Sequence, residues 1–206
     1  MVIGLDEAGK GDYFGPLVVA AVAGDPDRLA AIGVVDSKKL TDKRAFVLAA
    51  KVRQNSEVEV VAIHPEKYNE LYGKMKNLNT LLAWCHATAL ENILARVNTA
   101  EAILDQFAST GVMQKALKER GKSITLVQYP RAEAHPVVAA ASIIARAEFL
   151  ERLAALAKRH EVDLPKGAGA PVDEAGRAIV ALGRPALLGQ VAKLHFRTTQ
   201  KIGARA

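Results

Sequence analysis

The chain has 206 residues, half of them hydrophobic but only 5% aromatic, with a formal charge of +6 and one cysteine, Cys85. This length and composition exclude a disordered chain and predict one domain, or one domain with a small appendage, whose core is built from Ala, Val, Leu and Ile. A single cysteine excludes an internal disulfide, and the longest apolar runs, 16–24 and 137–145, fall well short of the roughly 20 residues of a membrane-spanning helix.

In chain order, Val2 to Asp6 reads as a short buried strand, and Pro16 to Ala23 as a second after a glycine-punctuated turn, which together predict a hairpin. Glu57 to Ile63 alternates Glu and Val as a half-exposed strand does, and Ala100 to Gln106 and Ser123 to Gln128 are two further β-type segments. Between and after them lie helices. Asn79 to Val97 carries Leu82, Cys85, Ala89 and Ile93 at helical spacing, and His135 to His160 opens as a buried run and ends amphipathic. Asp163 to Pro171 is the one segment that reads as a soft linker. Strands first and helices interleaved later predict an α/β fold, a mixed β-sheet flanked by helices, with a helical C-terminal part from about residue 160 to 206.

The densest chemistry lies in Gly4-Leu5-Asp6-Glu7-Ala8-Gly9-Lys10-Gly11-Asp12-Tyr13-Phe14-Gly15-Pro16. Two adjacent acids end an apolar strand there. Strand alternation sends neighbouring side chains to opposite faces, so Asp6 and Glu7 serve one site only if the strand end bends or one contributes through its backbone. Burying both charges is costly unless a cation lies between them, whereas an isolated Asp-Glu pair is more often solvated. Gly9, Gly11 and Gly15 permit tight turns and a close approach of a phosphate backbone. Asp36-Ser37-Lys38-Lys39-Leu40 suits phosphate contact and equally suits a solvated turn before a helix capped by Thr41. Asp105 ends the apolar run from Ala102, and Glu133 precedes the Val-Ala-Ile run of the long helix, where the helix dipole alone favours an acid.

The whole of 4–21 resembles the N-terminal signature of the ribonuclease HII/HIII superfamily, and Gly9-Lys10-Gly11 is similar to its ribonuclease HIII version. The resemblance continues through the Asp36 segment, through Asp105 and through Glu133 with its following Ala-Ala-Ala-Ser-Ile helix, and it reaches about Thr199. It implies a ribonuclease H-like catalytic domain, an endonuclease that hydrolyses the RNA strand of RNA/DNA hybrids and leaves 5′-phosphate and 3′-hydroxyl ends. Asp6, Glu7, Asp105 and Glu133 become the catalytic and metal-binding residues, holding two divalent ions, Mg²⁺ or Mn²⁺. Gly9, Lys10, Gly11, Ser37, Lys38, Lys39, Lys166 and Arg197 become candidate contacts to the hybrid. The alternatives are a ribonuclease HII-type enzyme that incises at single embedded ribonucleotides, and a non-catalytic nucleic-acid-binding module.

Two departures bear on specificity. Ribonuclease HIII chains typically carry a further N-terminal domain that helps grip the hybrid, whereas here the signature begins at Gly4, so affinity for long hybrids does not follow from the resemblance. Lys166-Gly167-Ala168-Gly169 lacks the tyrosine that ribonuclease HII uses at a DNA-RNA junction, which predicts better cutting within runs of RNA than at a lone ribonucleotide. The pI of about 9.5 agrees with an anionic partner. A monomer in the cytoplasm, off the membrane and acting in replication and repair, completes the expectation. Asp173-Glu174 repeats part of the signature but reads as a helix start, His135 as a polar residue at a helix start, and Trp84 as core or near-core.

Overall fold

The computed structural model describes residues 1–203. In chain order, β1 (Val2–Ala8) and β2 (Leu17–Gly24) precede α1 (Pro26–Ala31), α2 (Asp42–Asn55), β3 (Glu57–Ile63), α3 (Pro65–Met75) and α4 (Leu78–Leu94). Then come β4 (Glu101–Asp105), α5 (Thr110–Ala116), α6 (Glu119–Lys122), β5 (Thr125–Tyr129), α7 (Pro136–His160), α8 (Ala170–Ala181), α9 (Leu188–Val191) and α10 (Arg197–Lys201). The chain divides into two compact units, one formed by Met1–Ala8, Val18–Val61 and Asn77–Ala147, the other by Gly9–Leu17, Ala62–Lys76 and the chain from Glu148 onward.

The mixed, helix-flanked sheet expected from the sequence forms, in the order β3-β2-β1-β4-β5. β1 runs antiparallel to β2 from Val2↔Gly24 to Ala8↔Val18, and parallel to β4 in the register Leu5↔Leu104. β4 in turn runs parallel to β5. Every residue of β2 is buried, as its unbroken apolar run requires. Apolar faces of α4 (Leu82, Cys85, Ala89, Leu90, Ile93) and α7 (Val137, Val138, Ala141, Ile144) complete the core of the first unit. Trp84, expected at or near the core, instead stands 36% exposed on the outer face of α4.

Local chemistry sets the helix starts. The Thr41 hydroxyl accepts from the Arg44 N–H at α2, and the Asn77 side chain accepts from the Thr80 N–H at α4. α8 begins at Ala170, with Asp173 inside its first turn, because Pro171 is tolerated where a helix has no N–H partner to lose.

Gly4 fixes how closely α7 meets the sheet. A Cβ at this position would lie 2.2 Å from the Val137 carbonyl carbon, so the first turn of α7 rests directly on the β1 backbone. Gly4→Ala therefore forces backbone apart rather than rotating a side chain. We expect a stability loss of about 1–3 kcal/mol in denaturant titrations, and unchanged stability would show that the contact is dispensable.

Candidate active site

Asp6 and Asp105 reach one place because β1 and β4 are parallel neighbours in register. One step beyond the pair Leu5↔Leu104, Asp6 near the end of β1 lies beside Asp105 at the end of β4, and in-register neighbours project to the same face. The Asp6 carboxylate accepts from the Glu7 N–H at 2.8 Å and from the Ser142 hydroxyl of α7. Burial, then the neighbouring Glu7 and Asp105 charges, push its pKa well above the usual carboxylate range despite those donors. Asp105 accepts from the Ala132 N–H at 3.1 Å. That bond ties β4 to the 3-10 turn Ala132–Ala134, so Glu133 is delivered next to the strand end.

Glu133 Oε2 is buried and has no hydrogen-bond partner. A buried carboxylate oxygen left bare is costly unless a cation meets it. Glu7 behaves differently from Asp6. The β1 ladder is unbroken past it, with Glu7↔Val19, so alternation turns its side chain the other way. There its carboxylate meets the fully buried His86 of α4, Nε2 to Oε2 at 3.1 Å. An ionised carboxylate only accepts, so Nε2 carries the proton, and stacking on Phe107 at 5.2 Å fixes the ring. His86 lay unremarked in the apolar pattern of α4; its helical spacing with Leu82 and Ala89 was its only signal.

Asp6, Asp105 and Glu133 thus offer the hard oxygen donors that Mg²⁺ and Mn²⁺ take, while the Glu7 carboxylate lies on the other face against His86; the bare Glu133 oxygen and the opposed ionisation of Asp6 fit a cation. Among the described residues, no three His, Cys, Asp or Glu side chains are gathered closely enough to hold a metal ion as they stand. His135 sits at the helix start, its Nδ1 accepting from the Val137 N–H at 3.4 Å.

The Asp36 segment is anchored to the same helix. Ser37 Oγ is buried and lies 2.6 Å from Ser142 Oγ, so this hydroxyl faces inward instead of outward to a phosphate. Ser142 spends its single proton on Asp6, which leaves Ser37 as the donor to Ser142. Arg146 of α7 donates to the Ser37 carbonyl and, at 2.8 Å, to Asp42. Lys38 and Lys39 remain exposed.

The second unit gathers the other predicted contacts. Gly9 has φ +84°, and a Cβ there would fall 2.1 Å from the Pro16 carbonyl oxygen, so only glycine fits this turn. The Asp12 carboxylate accepts from the Gly167 N–H at 2.6 Å and the Tyr13 N–H donates to the Gly167 carbonyl at 2.8 Å, which binds the Gly9-Lys10-Gly11 turn to the Lys166 loop. Tyr13 also bonds Thr199 of α10, bringing in the helix that Arg197 begins. Lys193, four residues before Arg197, is fully buried. Its ammonium donates to the Gly15 carbonyl at 2.6 Å, with Phe14 and Pro16 carbonyls at 3.4 and 3.5 Å. Burial lowers its pKa to about 7, partly opposed by Asp12.

The fold has counterparts among solved structures. A crystal structure of Bst-RNase HIII in complex with Mn²⁺ superposes with a TM-score of 0.90 at 36% identity, covering 98% of this chain and 69% of that one. Aquifex aeolicus RNase H3 gives 0.78 at 27% identity, covering 95% and 72%. A mixed sheet with acids at adjacent parallel strand ends and a helix start beside them is thus a ribonuclease H-type enzyme. The family model for ribonuclease HII matches residues 3–199, and the chain belongs to that family. Ribonuclease HIII of Chlamydia pneumoniae is 46% identical over 97% of this chain and 69% of its own length, and that of Protochlamydia amoebophila is 42% identical over 97% and 67%.

Two outcomes test the site and its support. His86→Phe keeps ring volume but removes the donor to Glu7, and should lower kcat about 10–100-fold, with His86→Gln intermediate; a wild-type rate in His86→Phe removes His86 from the site. Because the folded pKa of Lys193, about 7, lies below its ordinary 10.5, the folded chain binds fewer protons than the unfolded one between those values. Stability must then rise as pH climbs from about 7 to 10.5. Melting curves of wild type and Lys193→Met across that window should differ by that rise, and parallel curves would remove the buried charge from consideration.

Proposed function

We propose that this ribonuclease H hydrolyses the RNA strand of RNA/DNA hybrids as an endonuclease, with Asp6, Glu7, Asp105 and Glu133 holding two divalent cations. The observation that carries the reading is a buried, unpartnered Glu133 oxygen beside a strand end where Asp6 and Asp105 crowd each other. Mn²⁺ in the crystal structure of the Bst relative supports a divalent requirement. When bound, such ions activate water and stabilise the leaving oxygen of an in-line displacement.

The chain's own residues do the rest. Asp6 and Asp105 orient from parallel strand ends, each locked by a main-chain donor. Glu133 closes the site from the 3-10 turn, and His86 holds Glu7. Products carry 5′-phosphate and 3′-hydroxyl ends. Gly9, Lys10, Gly11, Lys38, Lys39, Lys166 and Arg197 grip the hybrid, while Ser37 serves through the loop it anchors. Main-chain groups of the Gly9–Gly11 turn read the ribose 2′-hydroxyl. The enzyme works as a monomeric single catalytic domain in the cytoplasm, in replication and repair. No described helix is long and apolar enough to cross a membrane.

One assay tests activity and subtype together. Wild type and Asp105→Asn are compared on a duplex with a run of ribonucleotides and on one with a single ribonucleotide, in Mg²⁺ and in Mn²⁺. Asp105→Asn should lose about 10²-fold or more, since metal-ion stabilisation is worth several kcal/mol. The run should be cut better than the single ribonucleotide. Intact hydrolysis in Asp105→Asn discards the site, and preference for the single ribonucleotide discards the substrate.

A further inference from the structure

Beside Glu133 the first unit carries a cleft of about 400 Å³, bounded by Asp36, Lys39, Arg131 and Glu133 over a floor that includes Val34 and Pro136. Two cations, Lys39 from the Asp36 segment and Arg131 from the residue before the 3-10 turn, share this space. Both side chains are exposed, and among the described residues neither takes part in an ion pair. Two acids, Asp36 and Glu133, line the same cleft without pairing with either cation. Asp36 accepts from the Lys38 N–H at 3.0 Å, and Glu133 Oε2 is buried without a partner.

The backbone holds this arrangement at a cost. Arg131 adopts φ 62° and ψ 34°, a left-handed conformation that a β-carbon disfavours, immediately before Ala132, whose N–H binds Asp105. The opposite wall is equally fixed, because the Ser37–Ser142 hydroxyl pair and the Arg146 clamp pin the lysine loop onto α7. Two exposed cations on fixed backbone, neither in an ion pair among the described residues, next to an acid of the reaction centre suit an oxyanion covalently attached to the reacting group. Arg presents a planar fork that matches a phosphodiester, and Lys a point charge beside it.

We propose that Arg131 and Lys39 form a subsite for a backbone phosphate of the strand being cut, next to the scissile phosphate, and so set its register over the carboxylates. The assignment rests on the nuclease reading above, since Glu133 ties the cleft to the reaction centre. It adds Arg131 to the substrate contacts and gives Lys39 one phosphate of its own.

The test uses a ribonucleotide-run hybrid and a series in which one phosphate at a time, on either side of the main cut, is made neutral as a methylphosphonate. Arg131→Gly removes the guanidinium while relieving the left-handed backbone, so its melting temperature should match or exceed wild type. KM should rise about tenfold, as expected for losing a charge-assisted hydrogen bond, with kcat nearly unchanged. The salt slope of binding should fall by about one unit. In wild type one neutralised phosphate should reproduce that defect, and in Arg131→Gly the same neutralisation should add nothing. Lys39→Ala should show the same non-additivity at the same phosphate. A flat scan, independent additive losses, or wild-type KM and salt slope in both variants would overturn the subsite. Binding of the same hybrids measured without turnover separates the two failures: absence of cutting sinks the nuclease reading, whereas unaltered binding in Arg131→Gly sinks the subsite alone.

Discussion

The parallel pairing of β1 with β4 is the constraint on which the site depends. In the register Leu5↔Leu104, two acids that are 99 positions apart become lateral neighbours on adjacent inner strands. Neither charge can retreat, since each follows three buried residues of its own strand, Asp6 within β1 and Asp105 at the end of β4. The electrostatic stress is visible in Asp6, whose ionisation is opposed first by burial and then by Glu7 and Asp105. A protein keeps like charges together at such a cost where a cation or a positive partner offsets it.

What surrounds the pair is a set of donors aimed at single carboxylates. The Glu7 N–H and the Ser142 hydroxyl serve Asp6, the Ala132 N–H serves Asp105, and His86 serves Glu7. These bonds fix orientation without neutralising charge, which leaves the acids ready for hard cations. Gly4 makes the arrangement possible from below, because only a residue without a β-carbon lets the start of α7 come down on β1. The same helix carries Ser142 and Arg146, so one rigid element supports both a reaction-centre acid and the lysine loop.

The second unit solves a different problem, the shaping of a glycine turn. Asp12 and Tyr13 lace it to the Lys166 loop, while Lys193 spends a buried ammonium on three successive main-chain carbonyls. Burying that ammonium lowers its pKa, which is the electrostatic counterpart of what burial does to Asp6. In both units an ionisable group is held against its solvation preference in order to fix local geometry.

Much of this was legible in the chain itself. The apolar runs and helical spacings placed β1 to β5, α4 and α7 to within a few residues, because binary patterning over long segments encodes period and burial directly. The signature around Asp6, the strand-end Asp105 and the helix-start Glu133 were readable as acids in apolar contexts. Other roles were invisible, since each depends on a partner far along the chain. His86 carried no signal beyond the apolar spacing of α4 until Glu7 faced it, Ser37 suited a phosphate contact until Ser142 claimed its hydroxyl, and nothing beside Lys193 announced the three carbonyls that enclose it. Sequence determined which residues carry charge and which segments are strands or helices. Tertiary structure decided which charges meet and which polar groups turn inward, because parallel register and close helix packing are set by contacts between segments and not within them.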